Sequence, residues 1–167
     1  IGVARIEPSE KISPLGAENG GKVLRIWVEE GVMVKKGTVL CELDASTEQA
    51  KMRQTSAKLQ TRQQKINSLN AKIQALEIKL QAADQERQRD QRLAQSNAGT
   101  QKQAFDSENT YNNLRADLLV AKADLAEAQA ALNEVQMELS YTQTLSAKKQ
   151  IVAPSDGMIL NWDVKVG

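Results

Sequence analysis

Histidine, the commonest proton shuttle and a frequent metal ligand, is absent from the 167 residues, and cysteine occurs once, at Cys41. The usual schemes for nucleophilic and metal-assisted chemistry therefore lose their bases and ligands. A lone cysteine closes no disulfide within the chain. Cys41 lies between Leu40 and Leu43 and reads as a small buried hydrophobe. No acidic pair has an evident pocket around it, so no enzyme and no cofactor site are expected. The densest polar run, D-Q-E-R-Q-R-D-Q-R from Asp84 to Arg92, reads as a charged, solvated face. Leu93 follows that run and is a candidate contact residue; its alternative is to pack on Phe105 and close a turn. Trp27 and Trp162 fall in strand patterns and are expected in or beside a β core.

Composition narrows the classes further. The 22 basic and 21 acidic residues leave a formal charge of +1, which argues against a nucleic-acid binder. Only five residues are aromatic. A core built mainly from Leu, Ala, Ile and Val along such a chain is expected to be long and narrow. No apolar run approaches the roughly 18 residues of a membrane span.

Glycine and proline divide the chain. From Thr38 to Ala153 the only one of either type is Gly99. That long segment carries a seven-residue repeat. Leu59, Ile66, Ile73 and Leu80 form one series of a first arm, with Leu69, Leu76 and Ala83 as companions. Leu118, Leu125, Leu132 and Leu139 form the series of a second arm, with Leu114, Ala121, Ala128 and Val135. Two a/d seams predict an antiparallel coiled-coil hairpin. With the turn at Asn97 and Gly99, Leu76 faces Leu118, Leu69 faces Leu125, and Ala83 faces Tyr111. Arg62 falls opposite Leu132, where its stem can cover the leucine. Arms of about 48 residues reach roughly 70 Å. The alternative is a two-chain coiled coil, which leaves the break at Gly99 unexplained.

The flanks read as strands. Val23–Val28, Val32–Val34 and Val39–Leu43 are separated by turns at Gly31 and Gly37. A shift of 136 positions lays Gly21 on Gly157, Val23 on Ile159, Leu24 on Leu160, Val28 on Val164 and Gly31 on Gly167. Two half-domains with one strand pattern are expected to pack face to face. The fold class is α+β, a helical hairpin inserted between two halves of a small β domain. The expected domains are 1–46 with a preceding strand, 47–148 with the tip near 96–101, and 149–167 as an incomplete second half.

The half-motif Gly21–Asp44, with V-A-P-S-D-G from Val152, resembles a biotinyl/lipoyl-type domain. Carrier domains of that type hold a lysine on the turn between the halves. Here about 100 residues of coiled coil replace that turn, and Lys35 and Lys36 lie elsewhere. The whole arrangement is similar to HlyD-type periplasmic adaptors, or membrane fusion proteins. Arg89, Leu93 and Thr100 match the family's R-x3-L-x6-S/T tip pattern of adaptors that engage TolC-like channels. The stretch Gly2–Pro8 and the run E-E-G-V-M-V-K-K-G resemble adaptors of ABC-type exporters, in a DevB-like or MacA-like branch.

The resemblance implies a periplasmic protein tethered to the inner membrane by a segment outside this chain. It implies a link between an inner-membrane ABC-type exporter and an outer-membrane channel bound at Arg89, Leu93 and Thr100. It further implies a homo-hexamer that forms part of an export duct. From the residues themselves, Thr100 and Gln103 also form a capping-box pattern for the second helix. Two other readings stand beside the adaptor: a coiled-coil tether without a duct, and a lipoyl or biotinyl carrier.

Overall fold

The computed structural model describes residues 15, 21–161 and 165–166. The stretch Gly2–Pro8, the strand expected before Ile12, and Trp162, Val164 and Gly167 lie outside the described residues.

The N-terminal flank forms β1 (Val23–Ile26), β2 (Met33–Val34) and β3 (Val39–Leu43). Gly31 and Gly37 turn the chain between them with φ of 82° and 86°, in the left-handed region that glycine enters without a Cβ penalty. The long helices α1 (Ser46–Gln95) and α2 (Gln101–Ala147) follow, then β4 (Gln150–Val152) and β5 (Gly157–Met158).

The two flanks interlock rather than only facing each other. One antiparallel sheet has the order β1-β3-β4 and the other pairs β2 with β5. Each sheet thus takes a strand from either side of the helical insertion. Backbone bonds outside the ladders add to the join, including Gly31 N–H to Ile159 C=O at 2.7 Å and Gly37 N–H to Ala153 C=O at 2.8 Å. Val34, Leu40, Ala153 and Ile159 form one buried cluster, so neither flank buries it alone. Val23, Cys41 and Leu43 form the other. The repeat carries through to burial: Val23 and Ile159 are buried, while Leu24 and Leu160 are exposed.

Trp27 departs from expectation. It is 56 % exposed, with the Arg25 guanidinium 4.8 Å from its ring centre. A register shift between Val23 and Arg25 breaks the strand's alternation just before it. The tryptophan therefore ends on the solvent side, held by a cation–π contact rather than by the core. Cys41 is buried, and that burial pushes its thiol pKa up.

Helix α1 starts where Asp44 Oδ1 accepts the Ser46 N–H at 2.9 Å, satisfying one of the first-turn donors. Between the arms, burial follows the seven-residue repeat. Ile66, Leu69, Ile73, Ala83, Leu118, Ala121 and Val135 are buried, and Leu76, Leu80 and Leu125 pack on the Ile73–Leu118–Ala121 cluster. Arg62 is exposed and Leu132 half-buried. Fifty helical residues span about 75 Å at 1.5 Å each.

Charge reinforces the antiparallel pairing. Lys122 Nζ meets Glu77 Oε1 at 3.0 Å across the arms. On the other flank of the α1 seam, Lys51, Lys58, Lys65, Lys72 and Lys79 recur at seven-residue spacing. The matching flank of α2 carries Asp117, Asp124 and Glu138. Like flanks meet in an antiparallel pair, so these columns have opposite sign where the arms adjoin.

Candidate functional site: the hairpin tip

Near its end the seam changes from apolar to polar. Arg87 reaches Asp84 Oδ1 at 2.6 Å on its own helix and Glu108 Oε2 at 3.4 Å on α2. Its guanidinium also lies 4.7 Å from the Tyr111 ring centre. Gln91 Nε2 donates to the same Glu108 carboxylate at 2.8 Å. Hydrogen bonding to Asp84 is the main cause that raises the Arg87 pKa, so the cation is fixed. Part of the charged run is therefore a cross-arm clasp and not a solvated face. Its heptad placement beside Ala83 and Tyr111 was the available signal, masked by the surrounding polar residues.

The turn is built around one carbonyl. Leu93 C=O accepts the N–H groups of Ala98 and Gly99, at 2.9 and 3.0 Å, and the Ser96 hydroxyl at 3.1 Å. Asn97 takes a φ of 57°, a left-handed conformation that asparagine tolerates better than most residues. Gly99 passes close over the end of α1: a Cβ there would stand 2.9 Å from Leu93 Cβ. No ordinary side chain fits that approach, which accounts for the one glycine in the long segment.

Thr100 begins α2 with a reciprocal cap. Its Oγ1 accepts the Gln103 N–H at 3.2 Å, and Gln103 Oε1 accepts the Thr100 N–H at 3.2 Å. This satisfies two donors of the new helix. Arg89 projects from α1 with its side chain 61 % exposed, and Leu93 is 39 % exposed. The expected residues Arg89, Leu93, Asn97, Gly99 and Thr100 thus fall within one stretch that ends one helix and begins the next. Phe105 is 66 % exposed, so it does not close the turn over Leu93. Its exposure was not foreseen, because a lone aromatic near a helix start reads as core.

Among the described residues, no group of three or more His, Cys, Asp or Glu could hold a metal ion. A shallow groove of about 350 Å³ beside Leu80, Asp84, Tyr111 and Leu118 opens widely to solvent.

No family model matches the chain. An uncharacterised protein of Haemophilus influenzae is 44 % identical over 45 residues, covering 27 % of this chain and 12 % of that protein. The solved structure of MacA from Actinobacillus actinomycetemcomitans aligns over 90 % of the chain at 26 % identity, with a TM-score of 0.53. The chain is similar to the HlyD-type periplasmic adaptors in sequence and fold. The membrane fusion protein Spr0693 from Streptococcus pneumoniae R6 shares the fold, with a TM-score of 0.54 over 88 % of the chain at 20 % identity. The chain spans 42 % of the MacA structure and 50 % of the Spr0693 structure. Among the described residues, no helix is long and apolar enough to cross a membrane.

Proposed function

We propose that this chain is part of a periplasmic adaptor that joins an inner-membrane ABC-type exporter to a TolC-like outer-membrane channel, with the hairpin tip as the channel contact. Arg89, Leu93 and Thr100 carry that contact, and Asn97 and Gly99 shape the turn that presents them. The observation that carries the reading is the half-exposed Leu93 at the end of α1, held by a turn built on its own carbonyl. A leucine fixed in place and left partly in water suits docking, because little order remains to be lost on binding. The likeness to MacA favours the MacA-like branch over the DevB-like one. We assign residues 1–46 and 149–167 to the lipoyl-like base and 47–148 to the hairpin, and take six copies to enclose the export duct.

The job is mechanical and needs no covalent step. Long helices suit it because each interior backbone group is paired within its own element. In the full-length protein, Leu93→Ala abolishes co-purification of the channel and export, while the circular dichroism at 222 nm stays at the wild-type value. Undiminished co-purification contradicts the assignment of the tip. The tether reading predicts a full-length protein that is monomeric or dimeric, and a sixfold ring excludes it.

A further inference from the structure

Apolar burial along the hairpin stops well short of the turn. Ile66, Leu69, Ile73 and Ala83 are buried on α1, and Leu118, Ala121 and Val135 on α2. Among the described residues from 84 to 117, the one that is buried is Ser107, and its hydroxyl donates to the Ala104 carbonyl of its own helix at 3.1 Å. The seven-residue repeat nevertheless runs on through this section. Arg87 continues the series of Ile73 and Leu80, and Asp90 that of Leu76 and Ala83. On α2, Tyr111 precedes Leu118, and Ser107 precedes Leu114, by the same step. Arg87, Asp90 and Tyr111 are half-buried. The seam positions persist, but their aliphatic side chains are gone.

What holds the arms together there converges on one side chain. Among the described residues of this section, the side-chain hydrogen bonds that cross the arms come from Arg87 at 3.4 Å and from Gln91 at 2.8 Å, and both end on Glu108 Oε2. The contact of Arg87 with the Tyr111 ring uses the same guanidinium. The bonds of Arg87 and Gln88 to Asp84 stay within α1. They support the helix without joining it to its partner.

The two sections therefore differ in kind. Aliphatic burial holds the arms by removing apolar surface from water. A polar pair nets less, because both partners give up water to form it. Once parted, each distal arm is a lone exposed helix, and helix propagation in water is close to break-even.

We propose that the hairpin contains two cooperative units: an apolar shaft, and a distal section over 84–111 that opens on its own with Glu108 as its latch. Opening parts the arms beyond Ala83 and lets both helices fray, while the shaft stays paired. The latch rests on this chain's own packing and not on the adaptor reading.

Amide hydrogen exchange of the full-length protein, purified without partners and read by mass spectrometry, tests it. After correction for intrinsic rates, peptides from 84–111 exchange at least about a hundredfold faster than peptides from 66–80 and 118–132. Glu108→Ala speeds exchange across 84–111 by about fivefold or more and leaves the shaft within about twofold of wild type. Glu77→Ala removes the cross-arm pair with Lys122 inside the shaft, and changes exchange in either section by less than about twofold. Equal protection in the two sections makes the hairpin one unit and overturns the proposal. A Glu108→Ala profile that matches wild type, or that rises alike in both sections, overturns the latch. So does an effect of Glu77→Ala on 84–111 as large as that of Glu108→Ala.

Discussion

Gly99 and Leu93 pack backbone to side-chain root: a Cβ at position 99 would stand 2.9 Å from Leu93 Cβ and 3.3 Å from the Leu93 carbonyl carbon. Neither neighbour is the far end of a flexible chain, so neither yields cheaply. Gly99→Ala is expected to destabilise the hairpin by about 1–3 kcal/mol, the usual cost of forcing extra atoms into a packed contact. Chemical denaturation of the wild type and the variant measures it. Equal midpoints contradict the close approach.

Thr100 has a structural duty apart from any partner. Thr100→Ala removes the side chain that accepts the Gln103 N–H. Loss of such a cap costs about 1 kcal/mol. Thr100→Ser keeps the oxygen and is expected to retain most of that stability. A thermal melt in which the alanine and serine variants coincide contradicts the cap.

The seam was read from the spacing of Leu, Ile and Ala, and the buried residues of both arms follow it. Seven-residue periodicity is a strong signal because each helix has one partner and one buried stripe. The β unit was legible as strands and turns, since Gly31 and Gly37 mark the turns directly. How the flanks join was not, because pairing between β3 and β4 spans the whole helical insertion and leaves no local trace. Trp27 was misplaced for a related reason: one register shift moves a residue to the other face, and nothing in the strand's composition announces it. At the tip, the Thr100–Gln103 cap was visible as a local pattern. The Arg87–Glu108 clasp joins distant residues and was hidden in a run of polar side chains.

The seam itself bears on stability in a measurable way. Ile73 is 9 % exposed and packs with Leu118 and Ala121. Ile73→Ala is expected to cost about 2–4 kcal/mol. The exposed Lys72→Ala is expected to cost about 0.5 kcal/mol or less, and more at low salt than at high salt. A substitution of Ile73 that leaves the unfolding midpoint unchanged shows that the seam lies on another face.

Asp44 sets an acid limit on the base. Its carboxylate accepts the Ser46 N–H, and the Ser46 hydroxyl and the charges of Lys22 and Lys149 add to the effect, so its pKa lies below the ordinary carboxylate value. A lowered folded-state pKa means that this stabilisation is complete above the unfolded-state value. It is lost as pH falls through the folded-state value. Melting temperatures between about pH 7 and pH 3 are expected to fall less steeply in Asp44→Asn than in wild type. Identical profiles contradict the assignment.

The central claim is that the tip meets an outer-membrane channel. A photo-crosslinking residue at Leu93 of the full-length protein, in its own cell envelope, tests it most directly. The same probe at Lys122, a position midway along α2, serves as the control. The account predicts that the Leu93 probe captures an outer-membrane channel protein and the Lys122 probe does not. Capture of only the protein itself, or of a soluble coiled-coil partner, from both positions would contradict it and favour the tether.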